Sequence, residues 1–160
     1  MKRTGILNAG LSHAIATMGH GDGLLVVDAG FPIPSDSWRI DLALARDLPD
    51  LRTVLDLIGM EMIVEAVVVA ADVPTHNAPL DSWLHDRFPD AQHSNLPHAE
   101  MLSSVAGRAK AIVRTGAFDP WGNVLLLSGV DVPAYFSTPG VVVPDYYLDR
   151  MNPPGAGGAP

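Results

Sequence analysis

The stretch LRTVLDLIGMEMIVEAVVVAA, residues 51–71, decides the class of fold. In its first half Leu51, Val54, Leu55, Ile58 and Met62 recur at the i, i+3, i+4, i+7, i+11 spacing of one helical face, and a helix is predicted over residues 50–62. In its second half Val64–Ala71 is continuous and β-branched, the pattern of a strand covered on both faces. A helix feeding directly into a doubly covered strand is the repeating unit of an α/β sheet.

The same grammar extends in both directions. Asn8 precedes a short helical pattern carrying Leu11, Ile15 and Met18, which Gly19 stops. The turn cluster Gly19–Gly23 leads into Leu24–Val27, a second buried strand closed by Asp28 and then by Gly30, Pro32 and Pro34. Ile40–Ala45 alternates weakly as a further short strand. Pro79 opens a helix running to Phe88, and Ala99–Ala106 reads as another after Pro97-His98. Ala111–Val113 and Val124–Val130 are two more strands. The expectation is one compact α/β domain over residues 1–132, a largely parallel or mixed sheet flanked by helices. From Pro133 onward six prolines (133, 139, 144, 153, 154, 160) and four glycines (140, 155, 157, 158) predict little regular structure. Residues 133–160 are therefore read as an extension. Pro153–Pro160 reads as disordered, while Val141–Val143 and Tyr146–Leu148 are apolar enough to dock on the body or on a neighbouring subunit.

Composition narrows the function. With 160 residues, 48% of them hydrophobic, the chain can bury a core of its own. Ten Lys and Arg against 18 Asp and Glu, a net charge of −8, exclude a phosphate-neutralising nucleic-acid surface and a polybasic membrane role. The absence of cysteine removes disulfides, thiolate nucleophiles, Cys-based zinc sites and iron–sulfur clusters. No apolar run is long enough for a membrane helix, and the N-terminus lacks the hydrophobic region of a signal peptide. A cytoplasmic protein is expected.

Several clusters invite chemistry. Gly19-His20-Gly21-Asp22-Gly23 has the glycines of a phosphate loop in the wrong order, since a helix leads in and a strand leads out. Its sharper feature is His20 in a glycine-flanked turn, with Asp28 closing an apolar strand at the end where α/β sheets bind ligands. The two read either as a catalytic pair or as a turn histidine and a capping aspartate. His85, His93 and His98 lie among Asp81, Asp86 and Asp90, but without the spacing of a His-Glu-x-x-His metal site; a solvated loop is the simpler account. Ser12-His13 and Ser128 lack a nucleophile elbow. Trp121, beside Gly122 and Asn123 at a strand entrance, reads equally as a sugar-stacking platform or as a packed turn aromatic.

Taken in order, Lys2–Asn8, Met18–Asp22, Val26–Pro34 and Arg39–Leu44 resemble the motifs of the D-ribose pyranase family of sugar mutarotases, which includes the fucose mutarotase branch. Val64–Ala66, His76-Asn77, Pro97–Glu100, Ile112–Gly116 and Trp121–Asn123 continue the resemblance over about residues 2–130. Asp28-Ala29-Gly30 with Pro32-Ile33-Pro34 and Arg39-Ile40-Asp41 is similar to the pyranase branch rather than the fucose branch. The resemblance implies an enzyme without cofactor or metal that interconverts pyranose and furanose forms of D-ribose. It implies His20 as proton donor and Asp28, His98, Trp121, Gly122 and Asn123 as sugar-binding residues. It also implies a ring-forming homo-oligomer, commonly a decamer of two pentamers, with sites at subunit contacts. Trp121 stands where the family usually has tyrosine, Leu102 where it often has lysine, and Ala71-Asp72 where an acidic pair is usual. The competing readings are a mutarotase for fucose or another aldose, a sugar-binding module without catalysis, and a structural ring protein. No nucleic acid and no membrane is expected as a partner.

Overall fold

Leu24, Leu25, Val26 and Val27 are wholly buried, and they form β1 (Gly23–Val27) inside a six-stranded sheet. The computed structural model describes residues 1–151, so Pro153–Pro160, read above as disordered, lie outside the described residues. The other strands are β2 (Arg39–Asp41), β3 (Val64–Ala70), β4 (Gln92–Leu96), β5 (Ala111–Arg114) and β6 (Val124–Ser128). Their order across the sheet is β2-β5-β1-β6-β3-β4. Five strands run parallel, and β6 alone runs against both of its neighbours. This is the mixed α/β sheet that the sequence predicts.

The helices are α1 (Ala9–Ala16), α2 (Leu51–Gly59), α3 (Val73–His76), α4 (Ala78–Arg87), α5 (His98–Glu100), α6 (Ala106–Arg108), α7 (Val132–Tyr135) and α8 (Leu148–Met151). Helix α2 starts where its cap dictates: the Asp50 carboxylate accepts from the Thr53 amide at 2.9 Å and the Thr53 hydroxyl at 2.6 Å. Its buried stripe is Leu51, Val54, Leu55 and Ile58. Truncating one such leucine to alanine costs about 2–5 kcal/mol. The helix ends three residues before the predicted boundary at 62, because the chain turns to let the Glu61 carboxylate accept the Ile6 amide at 2.5 Å. Met62 is buried all the same.

Other departures have equally local reasons. β2 stops at Asp41 instead of running to Ala45, since Asp41 Oδ1 takes the Ala43 amide at 3.2 Å and turns the chain out of the sheet. β6 ends at Ser128, not Val130, where the Gly129 amide crosses to the Ile63 carbonyl at 2.9 Å. The predicted helix at Ala99–Ala106 is one continuous helical run from His98 to Arg108, with a π-helical turn at Met101–Val105 between α5 and α6. β4, Gln-His-Ser-Asn-Leu, carries no hydrophobic alternation and reads as loop; it is an edge strand held by parallel backbone pairing with β3. The single-turn helix α3 is also absent from the sequence reading. In the extension as far as Met151, three single-turn elements, α7, a 3₁₀ turn at Asp145–Tyr147 and α8, interrupt a chain that is otherwise irregular, with no helix or strand over residues 136–144.

Candidate active site

At the carboxyl end of β1, Asp28 meets Asn123, the residue that leads into the oppositely directed β6. The Asn123 amide nitrogen donates to Asp28 Oδ2 at 3.1 Å, and the Asp28 backbone N–H donates to Asn123 Oδ1 at 3.2 Å. Asn123 is 2% exposed, so this reciprocal clasp is set in the core. The other carboxylate oxygen of Asp28 accepts from the Gly30 amide at 2.7 Å. Asp28 is thus a turn-capping aspartate whose carboxylate is at the same time aimed by a buried amide.

The loop 119–123 is shaped by backbone demands. Trp121 has φ +52°, in the left-handed region that side chains other than Gly rarely enter. The Gly122 amide donates to the Asp119 carbonyl at 3.0 Å, and a Cβ at Gly122 would lie 2.8 Å from the Asp119 Cβ, so only glycine fits the turn. The His76 ring packs on Trp121 with centroids 5.2 Å apart, and the Asn77 side chain donates to the Pro120 carbonyl at 2.9 Å. Trp121 is therefore both a packed turn aromatic and a wall of a cleft of about 650 Å³, which Asp28, Gly30, Leu44, Arg114 and Phe118 also line. Arg114 donates to the Ala29 carbonyl at 3.0 Å and to both Asp41 oxygens at 3.2 Å. Burial pushes the Asp41 carboxyl up, but Arg39, the Ala43 amide and Arg114 outweigh it and hold the group below the usual carboxylate range. His98 opens α5 at the carboxyl end of β4, on the same edge of the sheet. Its Nδ1 is the one buried side-chain polar atom without a hydrogen-bond partner among the described residues.

His20 lies elsewhere. Its turn precedes β1, at the opposite end of the sheet, and is pinned from several sides. The Gly21 amide donates to the Ser128 carbonyl at 2.8 Å, the Ser128 amide to the Asp22 carbonyl at 2.9 Å, and the Ser128 hydroxyl to the Gly19 carbonyl. Asp22 accepts from the Gly19 amide at 2.7 Å and from Lys110. The Lys110 ammonium, with the Gly19 amide second, holds the Asp22 carboxyl below its usual range. His20 Nε2 meets Glu65 Oε2 at 2.7 Å, and the same oxygen accepts from Arg150 at 3.0 Å. Glu65 sits where the register of β3 against β6 shifts, between Val64 and Ala66. Such a bulge re-aims a side chain, and here it turns a carboxylate out of an apolar strand toward His20.

Asp28, Trp121, Gly122 and Asn123 thus come together at the carboxyl end of β1; His98 lies at the same end of the sheet but beyond β4, three strands from β1, and His20 lies at the opposite end. β1 has five residues and spans about 16 Å at roughly 3.3 Å per residue. Within one chain, Asp28 does not orient His20. Glu65, which the sequence reading passed over, takes that place; its signal was a lone carboxylate in a run of valines and alanines. Arg114, Lys110 and Arg150 were passed over too. His85 and His93 stack with centroids 3.8 Å apart, His93 donating to the Phe88 carbonyl at 2.9 Å. Among the described residues no three His, Asp or Glu side chains converge on a point where a metal ion would sit, and no helix is long and apolar enough to cross a membrane.

Comparison with known proteins puts this geometry in context. The model of the RbsD / FucU transport protein family matches residues 1–131. D-ribose pyranase 1 of Streptomyces griseus subsp. griseus is 62% identical over 151 residues, which is 94% of this chain and 100% of that protein. D-ribose pyranase 2 of Rubrobacter xylanophilus is 59% identical over 95% of this chain and 99% of its own length. Among solved structures, Bacillus subtilis RbsD complexed with D-ribose superposes with a TM-score of 0.77 at 36% identity, covering 81% of this chain and 98% of that one. The fucose mutarotase of Streptococcus pneumoniae in complex with L-fucose, at 20% identity, TM-score 0.59 and coverage of 79% and 95%, shares the fold.

Proposed function

This chain belongs to the RbsD / FucU transport protein family, and we propose from that premise that it interconverts the pyranose and furanose forms of free D-ribose without a cofactor. The observation that carries the reading is its end-to-end likeness to the Streptomyces D-ribose pyranase 1. The chemistry at the two ends of the sheet supports it.

Ring opening breaks the C1–O5 bond: O5 receives a proton and the anomeric hydroxyl loses one, leaving an open-chain aldehyde. Closure forms C1–O4: O4 gives up its proton and the carbonyl oxygen takes one, so protons balance over the cycle. His20 is the acid to O5 and, once neutral, the base to the O4 hydroxyl; histidine suits both because its ordinary pKa lies near neutrality. With Nε2 held by Glu65, Nδ1 is the nitrogen that exchanges the proton. Asp28, aimed by Asn123, accepts from sugar hydroxyls. His98 Nδ1, buried and unpartnered, and Asn123 bind others, while Trp121 on the cleft wall, with Gly122 next to it in the turn, contacts the ring.

His20 and Asp28 serve one sugar when the two sheet ends of neighbouring subunits meet. The working form is accordingly a ring-forming homo-oligomer, a decamer of two pentamers, with its sites at subunit contacts. Residues 1–132 are the catalytic unit and 133–160 an extension of it. The net charge of −8 supports a small neutral ligand rather than nucleic acid, and the site of action is the cytoplasm.

The test is saturation-transfer NMR between ribopyranose and ribofuranose anomers. The native protein accelerates the exchange, and His20→Ala loses about 10²-fold or more with its melting temperature unchanged. Full activity in His20→Ala removes that residue from its role. Acceleration of fucose or another aldose but not ribose reassigns the substrate, and binding without acceleration leaves a sugar-binding module.

A further inference from the structure

The aromatic residues of the extension pack on one another at the surface. Phe136 packs on Tyr147 with ring centroids 5.6 Å apart, Tyr147 on Tyr146 at 4.8 Å, and Tyr135 on Phe136 at 6.4 Å. These contacts tie α7 to the 3₁₀ turn that leads into α8. The Arg150 guanidinium rides 5.4 Å from the Tyr147 ring and reaches over to Glu65. Both side chains use a single oxygen, Glu65 Oε2: Arg150 Nη2 at 3.0 Å and His20 Nε2 at 2.7 Å. Arg150 and Glu65 also line one cleft of about 540 Å³, together with Arg87 and Val132.

We propose that the extension supplies Arg150 as a positioning residue for His20, acting through Glu65. The inference rests on the reading of His20 as the group that exchanges the sugar's proton. A carboxylate at a strand bulge, 29% exposed, has several rotamers open to it; a charge-assisted bond from a guanidinium selects one of them. That rotamer is the one that holds His20 Nε2 and fixes which ring nitrogen is left for the sugar. A partly exposed ion pair adds little to stability, so its effect falls on turnover rather than on melting. The family model ends at residue 131, and the device belongs to those chains that carry the extension. The alignment with the Streptomyces relative leaves only about 6% of this chain uncovered, so it runs into the extension.

The experiment uses the full-length protein with Arg150→Ala and Arg150→Lys and two readouts. In saturation transfer with ribose, Arg150→Ala lowers kcat about ten- to a hundredfold with KM within about twofold, as expected for a displaced proton donor. Arg150→Lys falls in between, because it keeps the charge without the planar fork. Independently of turnover, carbethoxylation of His20 by diethyl pyrocarbonate is followed by peptide mass spectrometry with His13 as internal reference. Its rate rises about threefold in Arg150→Ala, the size of effect a released hydrogen bond produces. Unchanged labelling of His20 overturns the proposal, whether or not kcat falls. Wild-type kcat in Arg150→Ala overturns it as well. A native protein that turns over no sugar defeats the catalytic reading of His20, while faster labelling in Arg150→Ala still upholds the clamp.

Discussion

The two ends of the sheet are built by different physics. At the carboxyl end of β1, the groups proposed to bind the sugar are set by the backbone and by a buried amide: Asn123 grips both the N–H and the carboxylate of Asp28, and the turn at Trp121 and Gly122 admits little variation. At the opposite end His20 is 46% exposed and meets the Glu65 carboxylate, which Arg150 also contacts, while the Lys110–Asp22 pair ties down its turn. A group that only has to fit a sugar is best frozen into the core. One that passes a proton must stay reachable, so its order comes from ionic partners at the surface. The separation is what the proposed shared site rests on: β1 keeps the two ends about 16 Å apart, well beyond hydrogen-bond reach.

The largest effect tests that separation directly. His20→Ala and Asp28→Ala, each inactive alone, are co-expressed and isolated as a mixed oligomer. If one sugar is served by two subunits, random mixing restores up to about a quarter of the native exchange rate. Saturation transfer on doubly tagged oligomers measures it, and a hybrid as inactive as its parents breaks the comparison. A smaller effect contrasts the supports of the two ends. Asn123→Ala removes both of the bonds between Asp28 and Asn123 in a buried setting, leaving only the Gly30 amide on the Asp28 carboxylate, and costs about 1–3 kcal/mol, seen as a lower melting temperature and a raised KM. His20→Ala, at the exposed end, leaves the melting temperature in place.

The smallest effect is acid-dependent. Asp22 is held below the usual carboxylate range by Lys110 and then by the Gly19 amide. Its folded-state pKa is depressed, so the stabilisation is present above the unfolded value, near pH 4, and is lost as pH falls through the folded value. Below about pH 4 the Gly19 amide therefore loses hydrogen-exchange protection before the Asp28 amide, which donates to the uncharged side-chain oxygen of Asn123. In Lys110→Met that loss shifts to higher pH. Equal protection of both amides throughout the acid range sinks the distinction.

Where burial dictates the pattern, the sequence is legible. Leu24–Val27 and Val64–Ala70 read as strands, and α2 as a helix, because apolar side chains there must leave water. β4 is not legible: its Gln-His-Ser-Asn-Leu side chains sit on a solvent-facing edge, and backbone pairing with β3 alone makes it a strand. The recognition end is legible for a similar reason, since a carboxylate closing an apolar strand stands out at Asp28. Arg114 closes the apolar β5 in the same way and belongs to the same signal. Glu65 is hidden, because an alternating strand would hold its side chain on the face of the sheet, and only the bulge redirects it.

By itself, then, the sequence determined the α/β class, the apolar strands, the turn around His20 and the residue types able to bind a sugar and move a proton. Those follow from hydrophobic periodicity and side-chain chemistry, which are local. Tertiary structure alone decided that β6 runs against its neighbours, bringing Asn123 to Asp28 and Ser128 to the His20 turn. It also decided that within one chain His20 meets Glu65, which Arg150 also contacts, and not Asp28. Strand direction, register and the path of the extension set those distances, and each depends on contacts between residues far apart in the chain.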